Sequence, residues 1–160
     1  MNDSTALVPA TADELPTLST PETPEPAPLQ VAGVAGGVGA RTVARLLQAQ
    51  QRFLTYPGQQ VDVLVTSITA SATAWLPIAL RQVASPPVLA VSHTVPGPVP
   101  PAAQSRLRTL APQVSHIVHV PHIWGWLTLD EPPGDVLPRR AARARRRLLA
   151  AVAATPSGAT

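Results

Sequence analysis

The 160-residue chain has no cysteine and no lysine, one phenylalanine, one tyrosine, and only nine acidic residues. Each shortage removes chemistry. Without cysteine there is no disulfide, no thiolate nucleophile and no cysteine-ligated zinc. Without lysine there is no Schiff base, and no ammonium to bridge the phosphates of a bound nucleotide. Residues 31–129 hold a single acid, Asp62, so paired-carboxylate hydrolysis and two-metal catalysis lack their side chains there. No run reaches the ~18 continuous apolar residues that span a bilayer. The first sixteen residues lack the basic and apolar regions of a signal peptide. A soluble, cytoplasmic protein without a membrane span is expected.

What the chain does have is arginine, proline and aliphatic residues. Twelve arginines give a net charge of +3, and the charges are unevenly spread. Residues 1–30 carry Asp3, Asp13, Glu14, Glu22 and Glu25 with no base, while six arginines crowd into 139–147. The body is basic and the tail acidic, so the tail can screen the body in cis. Residues 1–28 contain six prolines and little apolar periodicity. Such a segment cannot bury enough surface to offset its ordering entropy, and a disordered tail is expected. The domain is expected over residues 29–155, followed by a flexible end at 156–160.

Within the domain, strands are expected at residues 29–35, 61–66, 88–92 and 114–120, where the side chains are mainly aliphatic. Helices are expected at 40–51, at 71–84 with an interruption at Pro77, at 102–111 and at 137–153. Strands alternating with helices specify an α/β fold: a mainly parallel central sheet of at least four strands with helices on both faces. The near-continuous apolar strands fit a sheet buried on both sides.

The first strand runs into Gly36-Gly37-Val38-Gly39 and then a helix. Backbone amides at a helix start can cradle a phosphate, and glycines let the chain approach it closely. The Rossmann pattern G-x-G-x-x-G is not met, and no acid ends the second strand to hold a ribose. The segment resembles the deviant Walker A motif of the ParA/MinD partition ATPases, Lys-Gly-Gly-x-Gly-Lys-Thr-Thr/Ser. Over residues 29–150 the chain also resembles uncharacterised actinobacterial proteins encoded near mobile elements, through Pro96-Gly97, Val120-Pro121 and Trp124/Trp126.

That resemblance implies a P-loop NTPase-like fold and a phosphate or nucleotide ligand, ATP among them, held by Gly36, Gly37, Val38, Gly39, Ala40, Arg41 and Thr42. In the family register Ala35 and Ala40 stand where the two lysines would be, and Arg41 stands at the metal-binding hydroxyl position. Asp62 precedes its strand rather than ending it, so a Walker B acid and a Mg²⁺ site are not expected. The resemblance thus implies a scaffold or regulator impaired in catalysis, linked to a mobile element or partition system.

Other groups point less sharply. His116 and His119 fall on opposite faces of a strand, and with His93 and His122 they have no acid nearby, so no metal site is expected. Ser92-His93 lacks a nucleophile-elbow pattern. Trp124 and Trp126, with Ile123 and Leu127, are read as closing the end of the core, the other reading being a stacking or partner-binding patch. On the last helix, Arg139, Arg140, Arg143, Arg146 and Arg147 share an arc of about 120°. The apolar stripe Ala141, Ala144, Leu148 and Val152 lies opposite, with Arg145 at its edge. That basic arc is either a solvated face or a contact for nucleic acid or an acidic protein, which defines the alternative function: a non-enzymatic interaction module.

Overall fold

The computed structural model describes residues 27–123 and 137–155. Most of the expected tail at 1–28, the Trp124/Trp126 segment and the end at 156–160 lie outside the described residues.

The first strand, β1 (Gln30–Gly33), feeds α1 (Ala40–Leu47), whose Val43, Ala44, Leu46 and Leu47 turn inward at helical spacing. The helix stops sooner than the sequence periodicity implies. Gln48 takes a left-handed conformation (φ 54°), and the amide of Ala49 donates back to the Ala44 carbonyl at 2.8 Å. The residues expected to form its last turn instead make a strand, β2 (Gln50–Arg52), paired in parallel with β1. All three of its side chains are exposed, so no apolar pattern marks it as a strand.

β3 (Val63–Ser67) and β4 (Val88–Ser92) are buried at every position. Between them the expected single helix is two: α2 (Ala70–Ala74) and α3 (Leu76–Leu80). Pro77 lacks the amide a continuous helix would need, but sits comfortably in the first turn of a new one. Thr69 caps α2, its hydroxyl oxygen accepting from the Ala72 amide at 3.2 Å. The helix α4 (Pro101–Leu110) opens on proline and runs into a 3₁₀ turn at Ala111–Gln113. Then come β5 (His116–Val120) and α5 (Arg139–Ala154).

The five strands form one all-parallel sheet in the order β2-β1-β3-β4-β5. Parallel crossovers are right-handed, so reversing the winding direction moves the connecting helices to the opposite face. Accordingly α1 and α5 pack on one face with Val31, Val63, Val65, Ala90 and Val118, while α3 and α4 pack on the other with Ala32, Leu64, Leu89 and Val91. The winding reverses between β1 and β3, and in such sheets the carboxyl ends of the strands at that point open a crevice. No helix among the described residues is long and apolar enough to cross a membrane.

Candidate ligand sites on the carboxyl edge of the sheet

The glycine loop fills the step from β1 to α1 at the reversal. Gly37 (φ 73°) and Gly39 (φ 86°) are both left-handed, and Gly39 is the residue from which α1 starts. A Cβ at position 39 would lie 2.7 Å from the Ser92 hydroxyl, so only glycine lets the loop come down onto the end of β4. Among the described residues, the amides of Gly36, Gly37, Gly39, Ala40 and Arg41 find no acceptor. These are the donors that a bound anion would use.

The loop forms one wall of a cleft of about 580 Å³. The other walls are the end of β2 with Phe53 and Leu54, and the α2–α3 corner with Trp75, Ile78 and Gln82. Phe53 and Trp75 are strongly exposed, at 76% and 52%, which is unusual for rings in a chain so poor in aromatics. Of the seven loop residues singled out by sequence, six line this cleft. Thr42 instead faces a narrow gap of about 30 Å³ beside Ser92, His93 and Pro121. Arg41 lines the cleft, exposed, and donates to no other described residue. Arg45 does not line it. Arg52 does, but its guanidinium is committed: Nε donates to Gln30 Oε1 and Nη2 to Gln50 Oε1 at 3.0 Å.

Asp62 lies at the other end of the sheet. It precedes β3, and its carboxylate accepts from the Gln30 amide at 2.7 Å, tying β3 to the start of β1. Among the described residues no acid stands on the carboxyl edge.

A second pocket, of about 480 Å³, opens further along the same edge, over β4 and β5. Registry of the two strands sets Val91 against His119 and Ser92 against Val120, which brings His93 beside His119 although 26 residues separate them. Their rings meet edge-on, with Nε2 of His93 and Nδ1 of His119 3.2 Å apart. Nδ1–H of His122 donates to the His93 carbonyl at 3.1 Å. Partial desolvation lowers the pKa of His119 below the ordinary histidine value, and the neighbouring His93 adds to the effect. His116 is exposed at the amino end of the same strand and lies outside the pocket. Among the described residues no three histidines or acids could hold a metal ion.

The helix α5 closes this pocket. Its buried stripe is Ala141, Ala144, Leu148 and Ala151, and the flank next to that stripe presents Arg140, Arg143 and Arg147 to the pocket. All five arginines of the expected arc are exposed, but only Arg140, Arg143 and Arg147 line the pocket, while Arg139 and Arg146 lie outside it. Arg145, at the edge of the buried stripe, has its Nε buried with no partner among the described residues.

Sequence reasoning missed the cleft aromatics and the union of histidines with arginines. One signal was available for the latter. In a parallel sheet all strands end on one edge, so residues just after neighbouring strands, such as His93 and His122, must lie close together. Compared with family models, with curated proteins and with solved structures, the chain gives no match in any of the three.

Proposed function

We propose that the cleft over residues 36–41 binds a phosphate-bearing ligand of the nucleotide class and does not hydrolyse it, so that the protein serves as a ligand-dependent scaffold or regulator. The observation that carries this reading is the coincidence of three features: a glycine loop with unsatisfied amides, the reversal point of a parallel sheet, and a cleft flanked by exposed rings. The amides and Arg41 would take the phosphate. Phe53 and Trp75 offer flat apolar surfaces to a base. Phosphoryl transfer depends on positioned cations and a metal-holding acid. Here position 40 is alanine, and the carboxyl edge has no acid among the described residues. Kinship with the ParA/MinD group, and with partition or mobile-element systems, is part of the same proposal and rests on the loop residues.

The experiment is a thermal shift with ATP, ADP and GTP on the full chain and on Gly36→Leu. Gly36 lines the cleft, is not left-handed and has nothing within 4 Å of its would-be Cβ, so a leucine there takes up cleft space without meeting the rest of the fold at its Cβ. The native chain should gain stability with millimolar nucleotide, following the usual mass-action dependence. The variant should melt at the native temperature and lose most of that gain. Absence of a shift in the native chain, with or without Mg²⁺, would overturn the reading.

A further inference from the structure

We infer that the pocket between the ends of β4 and β5 and the flank of α5 is a second anion site, for the phosphate group of a small molecule, which takes up a proton as it fills. This inference does not rest on the reading of the glycine-loop cleft, because the two sites use different side chains.

The pocket gathers arginines and histidines from three separate parts of the chain. Arg140, Arg143 and Arg147 come from one helix flank, and His93 and His119 from two neighbouring strand ends. Guanidinium groups suit phosphate because their planar donors pair with its oxygens. No carboxylate lines the pocket among the described residues, so these cations have no counter-ion among the described lining residues. Its concavity and its volume of about 480 Å³ suit a small ligand, whereas a duplex would need an open face.

The histidine pair supplies the proton coupling. With the rings 3.2 Å apart at their nitrogens, one ring donates and the other accepts, so the pair holds its contact only while one acceptor nitrogen stays unprotonated. Adding a second charge sets two imidazolium rings against each other, and against three arginines. The groups facing the pair are His122 from the segment after β5 and the three arginines from α5. The loop after β4 contributes only uncharged Pro96 and Gly97. A phosphate dianion shifts this balance: it offsets two of the three arginine charges and lets both rings carry a proton and donate to it.

Histidine NMR on the full chain provides the test. The titration would run from pH 8 to 5 in chloride and then in sulfate, which stays doubly charged over that range, with inorganic phosphate added at pH 7. Anion binding should move the His93 and His119 transitions to higher pH while His116 stays fixed, and sulfate affinity should rise several-fold from pH 7.5 to 5.5. Arg143→Ala, a change at an exposed side chain, should weaken phosphate binding about tenfold. Arg139→Ala, on the same helix but outside the pocket, should change it less than twofold, and Gly36→Leu should leave the phosphate response of the His93 and His119 signals unchanged. An equal response of His116, or equal losses for Arg139→Ala and Arg143→Ala, would mean that anions only gather on a diffuse basic surface and would overturn the inference. So would tight duplex DNA binding that depends on Arg139 and Arg146, which would assign the helix to nucleic acid. Loss of that histidine response in Gly36→Leu would overturn the independence of the two sites.

Discussion

Gly39 and Gly36 stand three residues apart in one loop, and they should respond to substitution in opposite ways. At position 39 a side chain meets both a left-handed backbone (φ 86°) and the Ser92 hydroxyl 2.7 Å away. The backbone penalty is about 1–2 kcal/mol, and displacement of Ser92 adds to it. Gly39→Ala should therefore lower the urea midpoint clearly, and Ser92→Gly in the same chain should restore part of the loss. Gly36→Ala faces neither obstacle. It should be neutral or raise stability by up to about 1 kcal/mol through the unfolded chain. If Gly39→Ala unfolds at the native midpoint, the loop does not bear on β4 as described. His119 offers a second test at this scale. Its pKa is lowered in the folded protein by desolvation and by His93, so between the folded and unfolded values the unfolded chain binds more protons. Stability is fully present above the ordinary histidine value and falls as the pH drops through the lowered one. His119→Gln should flatten that decline between pH 7 and 5, read as urea midpoints at each pH, in a buffer free of phosphate and sulfate.

Among the elements, α5 rests its packing on one large side chain. Its buried stripe is otherwise alanine, which lets the helix lie close to β5, and Leu148 fills the space between. Leu148→Ala should cost about 2–5 kcal/mol, as a void in a helix–sheet contact does. The adjacent Leu149 is 37% exposed, and its substitution by alanine should cost no more than about 0.5 kcal/mol. Equal effects of the two would contradict the helix orientation, and with it the division of the arginines. That orientation was legible in the sequence, because Ala141, Ala144 and Leu148 repeat at helical spacing. So was β4, where five aliphatic or small residues between a proline pair and a polar turn leave one reading. β2 was not legible. Its Gln-Gln-Arg has no buried face, and it exists because β1 offers an open edge for its backbone groups. The sites divide in the same way. The glycine loop is contiguous and could be found by inspection. The His/Arg pocket joins residues 93–97, 119–122 and 140–147, and only strand order and register bring them together.

For the molecule as a whole, the charge pattern decides which anions it meets. All twelve arginines lie in the described residues, where Asp62 is the one acid, and Asp62 is occupied at the amino edge of the sheet. The carboxyl edge, which carries both candidate sites, therefore has a positive field with no described counter-charge. The first 26 residues hold five acids and no base. Removing them raises the net charge of +3 by five units, all on the positive side. A tethered acidic segment competes with any external anion at high effective concentration, without needing a fixed structure. Deleting residues 1–26 should accordingly delay elution from heparin to higher salt and tighten phosphate binding several-fold at low ionic strength. The difference should shrink as the Debye length falls from about 10 Å at 0.1 M to about 3 Å at 1 M. Neutralising the five acids as asparagine and glutamine in the full-length chain should reproduce the deletion, because charge rather than length sets the competition. If deletion tightens binding but neutralisation does not, the tail acts by covering the edge sterically, and the electrostatic account fails.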